Sequence, residues 1–324
     1  MSKIGVVGAG AWGTALAHAW SQAENSVTLL ARTEKAAKVI RETGMNEAYL
    51  PGIALSASLQ TTANPSALSS CDHIALVTPA QTIGEVFEKV SLHIPPTSQI
   101  ILCSKGINKQ SALTPWGILG KVVDQTRLAV LSGPSFASDV ARELPTAITL
   151  AMENIADAEK LSAELSTPTL RLYASDDTIG VELGGALKNV IALAVGMARG
   201  LNLGASAEAA LIARGFVEMQ ATIVGQGGEA QTVSGLSGLG DLVLTCSSPQ
   251  SRNFAYGQAF VTRSLTDNQP LAEGVHTAQR ALHSARQAGM EAPIMEAVVK
   301  VLDSVWTPQE AMQNLLARPL KREH

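Results

Sequence analysis

A glycine-rich segment close to the start of the chain restricts the fold more strongly than any other feature. Residues 3–7 (KIGVV) read as a buried strand, residues 8–13 (GAGAWG) follow at once, and residues 14–20 read as a helix. In this G-x-G-x-x-G setting, Gly8 permits a tight turn, Gly10 admits a pyrophosphate and Gly13 lets the helix pack on the strand. The N–H groups of the helix N-terminus then bind phosphate. The segment favours a dinucleotide-binding fold over an ordinary glycine-rich turn.

The bulk composition excludes several classes of protein. The chain has 324 residues, of which 46% are hydrophobic and 16% charged, so it is long enough for two globular domains. Its net charge of −4 lacks the basic footprint of a nucleic-acid-binding protein. The first apolar run is the glycine-loop strand itself, and we find no uncharged apolar stretch of about 18 residues. We therefore expect no secretory signal, no stable membrane insertion and no nucleic-acid partner.

Cysteine and histidine usage argues against metal or disulfide chemistry. Cys71, Cys103 and Cys246 are odd in number and widely spaced, which suits a reducing cytoplasm. His276 and His283 are seven residues apart, but no carboxylate or cysteine set accompanies them. We expect no metal site and a cytoplasmic location.

Strand and helix patterns alternate through the first half of the chain. Short apolar runs without strict alternation are typical of parallel strands that are covered on both faces, and helical patterns such as residues 82–90 and 156–165 lie between them. We predict an N-terminal Rossmann-like doubly wound parallel sheet of the α/β class. Its predicted strands are residues 4–7, 27–31, 74–78, 100–103, 128–131, 147–151 and 171–173.

The pattern changes near Asp176. Apolar residues recur at helical spacing over residues 178–199, and further helices are predicted at 207–223, 253–262, 276–287 and 294–302. Beyond residue 178 no convincing strand pattern is present. We predict two domains, a dinucleotide-binding domain of residues 1–177 and an all-helical C-terminal substrate domain of residues 178–324.

The end of the second predicted strand bears on the choice of cofactor. A carboxylate about 20 residues after the glycine loop would hold the ribose 2′-hydroxyl of NAD. Here the strand runs into Arg32-Thr33 with no acidic residue at its end. Arg32 would instead bind a 2′-phosphate or stack on adenine, so NADPH is favoured and NADH tolerated. An ordinary exposed arginine is the alternative.

Two segments of the second half could supply acid–base chemistry. Gly184 and Gly185 precede Lys188 by four and three residues, so the three share one helix face. The glycines either clear a pocket beside a catalytic lysine, or serve close helix packing while Lys188 extends to solvent. Asp241 follows the glycine-rich turn 235–240, where it either caps a helix or holds Lys188 or a substrate hydroxyl.

Three further segments could contact a bound ligand, and one of them suits a phosphate. Ser248 suits a helix N-cap and Pro249 the first helical position, which would put Ser251, Arg252 and Asn253 in the first turn as a phosphate cradle. A capped surface helix is the alternative. The loops at residues 104–106 and 132–137 follow two predicted strands at the edge where ligands bind in open α/β sheets. Plain turns are the alternative there.

Together these segments resemble the bacterial type of the NAD(P)-dependent glycerol-3-phosphate dehydrogenase family. The matching pieces occur in family order and cover nearly the whole chain. They are residues 8–13, 105–106, 132–137 with 144–146, 184–189, 238–245, 251–253 and 273–274.

The resemblance implies reversible reduction of dihydroxyacetone phosphate to sn-glycerol 3-phosphate, which supplies glycerophospholipid synthesis. It implies Lys188 as the proton donor and acceptor, with Asp241 holding it in place. The substrate positions it implies are Lys105, Gly133, Ser135, Lys188, Asp241, Ser251, Arg252 and Asn253. The cofactor positions, besides the three loop glycines Gly8, Gly10 and Gly13, are Ala11, Trp12, Arg32, Tyr49, Lys105, Ala137, Arg252, Leu271 and Glu273. Ala11 stands where relatives often have serine.

Two other functions compete with this interpretation. One is a dehydrogenase of the same architecture acting on a 3-hydroxy acid or a 2-ketopantoate-like substrate, which would need no phosphate cradle. The other is a non-catalytic dinucleotide sensor in which Lys188 and Asp241 are structural. The sequence leaves open whether the chain forms a homodimer.

Overall fold

An eight-stranded sheet forms the N-terminal part of the molecule. The structure, a computed structural model, describes residues 1–266 and 272–319. The strands are β1 (Lys3–Val7), β2 (Ser26–Leu30), β3 (Gln60–Thr62), β4 (His73–Leu76), β5 (Gln99–Leu102), β6 (Leu128–Ser132), β7 (Thr146–Ala151) and β8 (Leu170–Ser175). Their order in the sheet is β3-β2-β1-β4-β5-β6-β7-β8. The order reverses between β1 and β4, so the crevice outside the carboxyl ends of these strands is the expected ligand site.

The sheet confirms the predicted doubly wound α/β fold, with two differences. Strand β7 runs antiparallel to β6, whereas β8 is parallel to β7. The connection from β6 to β7 contains only a five-residue helix, Ala137–Ala141, so β7 starts at the edge of the sheet where β6 ends and runs back. Strand β3 was not predicted because its three residues, Gln-Thr-Thr, form no apolar run.

Helices cover both faces of the sheet and make up the C-terminal part. They are α1 (Ala11–Gln22), α2 (Glu34–Thr43), α3 (Ile83–Ser91), α4 (Pro115–Leu119), α5 (Ala137–Ala141), α6 (Ile155–Leu165), α7 (Thr178–Gly200), α8 (Ala205–Val224), α9 (Ala230–Val233), α10 (Asp241–Ser247), α11 (Arg252–Val261), α12 (Glu273–Gln287), α13 (Pro293–Leu302) and α14 (Pro308–Leu316). Within the described ranges no strand follows β8, so the helical character predicted beyond residue 178 is confirmed there.

Alternate residues of the central strands pack into two apolar layers, one on each face of the sheet. In β5, Ile101 packs with Leu16 of α1 on one face, while Ile100 and Leu102 pack with Ile83 of α3 on the other. Burial on both faces explains why these strands read as continuous apolar runs.

The C-terminal core surrounds α7. Leu187 and Ile191 of this helix pack with residues of α8, α11, α12 and α13, such as Phe254 and Met295. By length and composition α7 could cross a membrane, but 89% of its apolar window is buried inside the protein. Such burial is what the core helix of a soluble protein shows. Because α7 also packs against β6, it joins the helical part to the strand ends.

Candidate active site

The glycine loop joins β1 to α1 in the geometry that its sequence predicts. Gly8 has φ +116°, a left-handed conformation that favours glycine. A Cβ on Gly13 would lie 1.9 Å from the carbonyl oxygen of Gly8, so the helix packs on the turn only without a side chain there. A Cβ on Gly10 would meet no atom within 4 Å in the described structure, which leaves open space over the loop.

The start of α1 is available to an anion. Gly10 is its N-cap, and among the described residues no side chain caps this helix. Uncapped N–H groups at a helix N-terminus fit the pyrophosphate of a dinucleotide. The buried Nε1 of Trp12 also has no hydrogen-bond partner in the described part of the chain. The loop therefore fits a dinucleotide by shape and by its free donors.

Asn46 holds the glycine loop from outside, and sequence reasoning missed it. Its side-chain nitrogen donates to the carbonyl oxygen of Ala9 at 3.0 Å and to Oγ1 of Thr14 at 2.8 Å. The only signal in the sequence was an asparagine near Tyr49, which could not reveal a contact across more than thirty residues.

The other predicted cofactor positions differ in their surroundings. Arg32 is exposed just beyond β2, and Tyr49 is 57% exposed. Ala137 begins α5. The Glu273 carboxylate accepts from the backbone N–H of Ala80 at 3.3 Å in the loop after β4, beside the point where the strand order reverses. Burial raises the pKa of Glu273. Leu271 lies outside the described residues.

Two lysines and one aspartate meet at the carboxyl ends of β5 and β6. Lys105 Nζ donates to Asp241 Oδ2 at 2.8 Å and to the carbonyl oxygen of Gly133 at 2.9 Å. Lys188 Nζ donates to Asp241 Oδ1 at 2.7 Å and to Thr245 Oγ1 at 2.7 Å. We call Lys105, Lys188 and Asp241 the lysine cluster. With both lysines protonated, it carries one net positive charge.

A single turn of π-helix places the aspartate of this cluster. Leu236–Gly240 forms the turn, and Asp241 begins α10 directly after it. The Asp241 carboxylate accepts hydrogen bonds from the two lysines, so the interpretation of Asp241 as a helix cap is wrong. The interpretation in which it holds Lys188 is consistent with these contacts.

Burial and charge oppose each other in the lysine cluster. Burial lowers the pKa of Lys188 to about 8 although Asp241 acts to raise it, and the ammonium of Lys105 lowers it further. Burial acts to raise the pKa of Asp241, but the two ammonium groups outweigh it and hold this pKa below its usual range. A lysine with a pKa near neutrality, paired with an ionised carboxylate, can both give and take a proton.

The two glycines of α7 do not clear a pocket beside the lysine head. A Cβ on Gly184 would lie 2.8 Å from the backbone oxygen of Ser237, and one on Gly185 would lie 2.5 Å from Ser132 Oγ. Both positions serve close packing. Lys188 does not extend to solvent either, since the residue is only 6% exposed. The first alternative was wrong about the glycines, which serve packing and clear no pocket. The second was wrong about Lys188, which is buried and paired.

The helix that carries the predicted phosphate cradle starts three residues later than its capping motif suggested. Ser251, not Ser248, is the N-cap of α11, and its hydroxyl accepts from the N–H of Phe254. Asn253 Nδ2 donates to Asn189 Oδ1 at 2.8 Å. The side chains of Ser251 and Asn253 therefore already have protein partners. Arg252 is exposed at the first helical position. Ser135, in the loop after β6, donates to the carbonyl oxygen of Gly133.

Two polar residues complete the connections of the site and were not predicted individually. Thr245 accepts from Lys188 and donates to Asp241 at 3.3 Å, one helical turn after this aspartate. Asn189 donates to the carbonyl oxygen of Lys105 and accepts from Asn253. Asn189 thereby connects the loop after β5 with the start of α11. Its adjacency to Lys188 was the only available signal.

A doubly wound sheet with an open glycine loop, joined to helices that bring a buried lysine–carboxylate cluster to the strand ends, defines a nicotinamide-dependent dehydrogenase. Comparison with known proteins identifies the family. Models of the N- and C-terminal parts of NAD-dependent glycerol-3-phosphate dehydrogenase match residues 3–158 and 177–313. The chain therefore belongs to this family and is an NAD(P)-dependent oxidoreductase.

Individual relatives agree with this assignment. The chain is 47% identical to a glycerol-3-phosphate dehydrogenase (NAD(P)+) of Chelativorans sp. (strain BNC1), over 99% of this chain and 98% of the relative. It is 45% identical to a protein of the same name from Mesorhizobium japonicum, over 99% and 94%. The crystal structure of glycerol-3-phosphate dehydrogenase from Coxiella burnetii superimposes with a TM-score of 0.91 at 34% identity, over 98% of this chain and 99% of that one.

Proposed function

We propose that this chain catalyses the reversible NAD(P)H-dependent reduction of dihydroxyacetone phosphate to sn-glycerol 3-phosphate. The observation that carries the proposal is the buried ammonium of Lys188, held 2.7 Å from Asp241 and next to the strand ends where a dinucleotide-binding sheet takes its ligands. Family membership supports the same reaction. The proposed division is a cofactor domain of residues 1–177 and a substrate domain of residues 178–324.

In the proposed reaction Lys188 is the general acid. A reduced nicotinamide bound at the glycine loop would supply the hydride for the ketone carbon. Lys188 Nζ gives one proton to the ketone oxygen, so the product is the secondary alcohol and the amine is left neutral. Asp241, ionised throughout, orients Lys188 and favours the ammonium before the transfer. Lys188 and Asp241 act in the reverse direction when glycerol 3-phosphate is oxidised.

The substrate's phosphate would be held by charge at the domain junction. The lysine cluster carries a net positive charge, and Arg252 is an exposed guanidinium at the N-terminus of α11. Binding the remote phosphate would orient the reacting carbon. The remaining proposed substrate positions are Lys105, Gly133, Ser135, Ser251 and Asn253, and the proposed cofactor positions are Gly8, Gly10, Ala11, Trp12, Gly13, Arg32, Tyr49, Lys105, Ala137, Arg252, Leu271 and Glu273.

The finer expectations concern cofactor choice and cellular role. Arg32 stands where an NAD-specific protein would carry a carboxylate, so NADPH is the favoured cofactor. The product would supply glycerophospholipid synthesis in the cytoplasm, without a membrane or nucleic-acid partner.

An absorbance assay at the reduced-nicotinamide band tests the proposal. Dihydroxyacetone phosphate and 2-ketopantoate are compared as substrates, with NADPH and NADH in parallel. The proposal expects oxidation of the cofactor that depends on dihydroxyacetone phosphate and is faster with NADPH. Tight NADPH binding without turnover of any ketone would instead favour a dinucleotide sensor, and preference for the ketoacid would favour the related dehydrogenases.

A further inference from the structure

The contact between β6 and α7 joins two residues that are each unfavourable on local grounds. Gly185 lies in the interior of α7, where glycine is less favourable than alanine. Ser132 ends β6, and its buried hydroxyl has no hydrogen-bond partner within residues 1–266 and 272–319. A buried, unpaired hydroxyl is also unfavourable. That two such residues meet at one point suggests a shared role.

The distances show what the missing side chain permits. A Cβ on Gly185 would lie 2.5 Å from Ser132 Oγ and 3.3 Å from Cγ of Lys105. As long as Ser132 keeps its hydroxyl, a side chain at residue 185 would therefore collide with the strand end, and glycine lets the helix lie directly on it. Lys188 lies three residues further along the same helix. Gly133, which accepts a hydrogen bond from Lys105, directly follows Ser132.

We propose that Gly185 is a positioning residue for the reaction. By letting α7 approach Ser132, it sets the distance between the helical part, which carries Lys188 and Asp241, and the strand ends, which carry Lys105. At this distance the Lys105 ammonium reaches Asp241. Gly185 acts through these groups, so the inference rests on the proposed function.

The neighbouring glycine provides a matched control. A Cβ on Gly184 would collide with the backbone oxygen of Ser237 at 2.8 Å, and no side-chain truncation can remove that atom. The closest contact at Gly185 is with a side-chain oxygen, which Ser132→Ala removes, and the remaining contact, at 3.3 Å, is with Cγ of the flexible Lys105 side chain. The double variant, Ser132→Ala with Gly185→Ala, thus moves one heavy atom from the strand to the helix at nearly constant volume.

The experiment compares Gly185→Ala, Ser132→Ala and the double variant with the wild type, and Gly184→Ala with and without Ser132→Ala. Steady-state assays give kcat and KM for dihydroxyacetone phosphate, fluorescence titration gives the NADPH dissociation constant, and thermal unfolding gives the midpoint. Gly185→Ala is expected to lower kcat by about 10- to 100-fold while NADPH binding is retained. The double variant is expected to regain most of the lost turnover and to melt no lower than the wild type. Ser132→Ala is not expected to rescue Gly184→Ala.

A pH profile separates positioning from general damage to the fold. The titratable groups that act on Lys188 are Asp241, Lys105 and Cys246. If α7 moves away from β6, the ammonium of Lys105 lies farther from Lys188 and lowers its pKa less. The alkaline limb of kcat/KM should then move to higher pH in Gly185→Ala and return in the double variant.

Several results would overturn the proposal. These are wild-type kcat in a folded Gly185→Ala variant, or a folded double variant as slow as the single one. If Gly185→Ala does not fold, the double variant decides alone, because the proposal requires it to fold and to be active. A wild-type protein that fails to reduce dihydroxyacetone phosphate would refute the proposed function itself, a result that needs no variant.

Discussion

The glycine loop and the lysine cluster are built in opposite ways. The loop is one continuous segment, residues 8–13, fixed by the strand and helix on either side of it. The cluster joins Lys105 and Lys188 to Asp241 across 136 and 53 residues of chain. The loop depends on side chains that are absent, the cluster on a balance of charges. The loop should therefore be damaged by an added methyl group, and the lysine cluster by a lost charge as well as by the methyl group of Gly185→Ala.

Removing the amine of Lys188 should have the largest effect. Lys188→Ala is expected to lower kcat by about 10²- to 10⁴-fold, the usual contribution of a general acid. NADPH binding, which depends on the glycine loop, should be retained. Steady-state kinetics and fluorescence titration measure the two quantities, with the exposed Lys160→Ala on α6 as the control. Near-normal turnover in Lys188→Ala would refute the assignment of the general acid.

Methyl groups added to the loop should separate packing from binding. Gly13→Ala forces a Cβ against the carbonyl oxygen of Gly8, and overpacking of this kind costs about 1–3 kcal/mol of unfolding free energy. It should weaken NADPH binding as well. Gly10→Ala meets open space, so it should leave stability unchanged and weaken binding alone. Denaturant unfolding and NADPH titration measure both effects. NADPH binding at wild-type strength in Gly10→Ala would show that the pyrophosphate does not approach this loop.

The start of α11 shares properties with both the glycine loop and the lysine cluster, because it combines a helix N-terminus with a charged side chain. Arg252→Ala is expected to raise KM for dihydroxyacetone phosphate about tenfold, the lower end of the range for a hydrogen bond to a charged group. The measurement is a substrate titration at saturating NADPH, with the exposed Arg171→Ala on β8 as the control. An unchanged KM would argue against a phosphate anchor at this position.

The smallest expected effect is a shift in pH dependence. Reduction needs the protonated amine, so kcat/KM for reduction should fall as pH rises above about 8, the pKa of Lys188, while that for oxidation should rise. Lys105 lowers this pKa, so Lys105→Met should move the alkaline limb to higher pH, whatever its effect on the rate. A limb that moved to lower pH would contradict the charge balance described for the cluster.

Prediction from the sequence succeeded where short segments decide the structure. Apolar runs located seven of the eight strands in the part of the chain that the structure describes, and helical periodicity placed the start of α7 at Thr178. Prediction from the sequence failed where a segment distant in the chain determines the structure. The polar strand β3 forms only because it pairs with β2. The direction of β7 depends on the end of the sheet at which its short connection from β6 finishes. The start of α11 was misplaced because Ser248 and Ser251 offer equal local capping chemistry.

The order of residues alone determined the glycine loop, since a strand, a turn and a helix that are contiguous fix one another through local backbone geometry. It also supplied the residue types of the active site. Only the tertiary structure decided that Asp241 bridges two lysines, that Thr245 joins them, and that Gly185 lies against Ser132 instead of opening a pocket. The physical reason is that burial and mutual charge set the properties of Lys188, and both depend on groups brought together by packing across the whole chain.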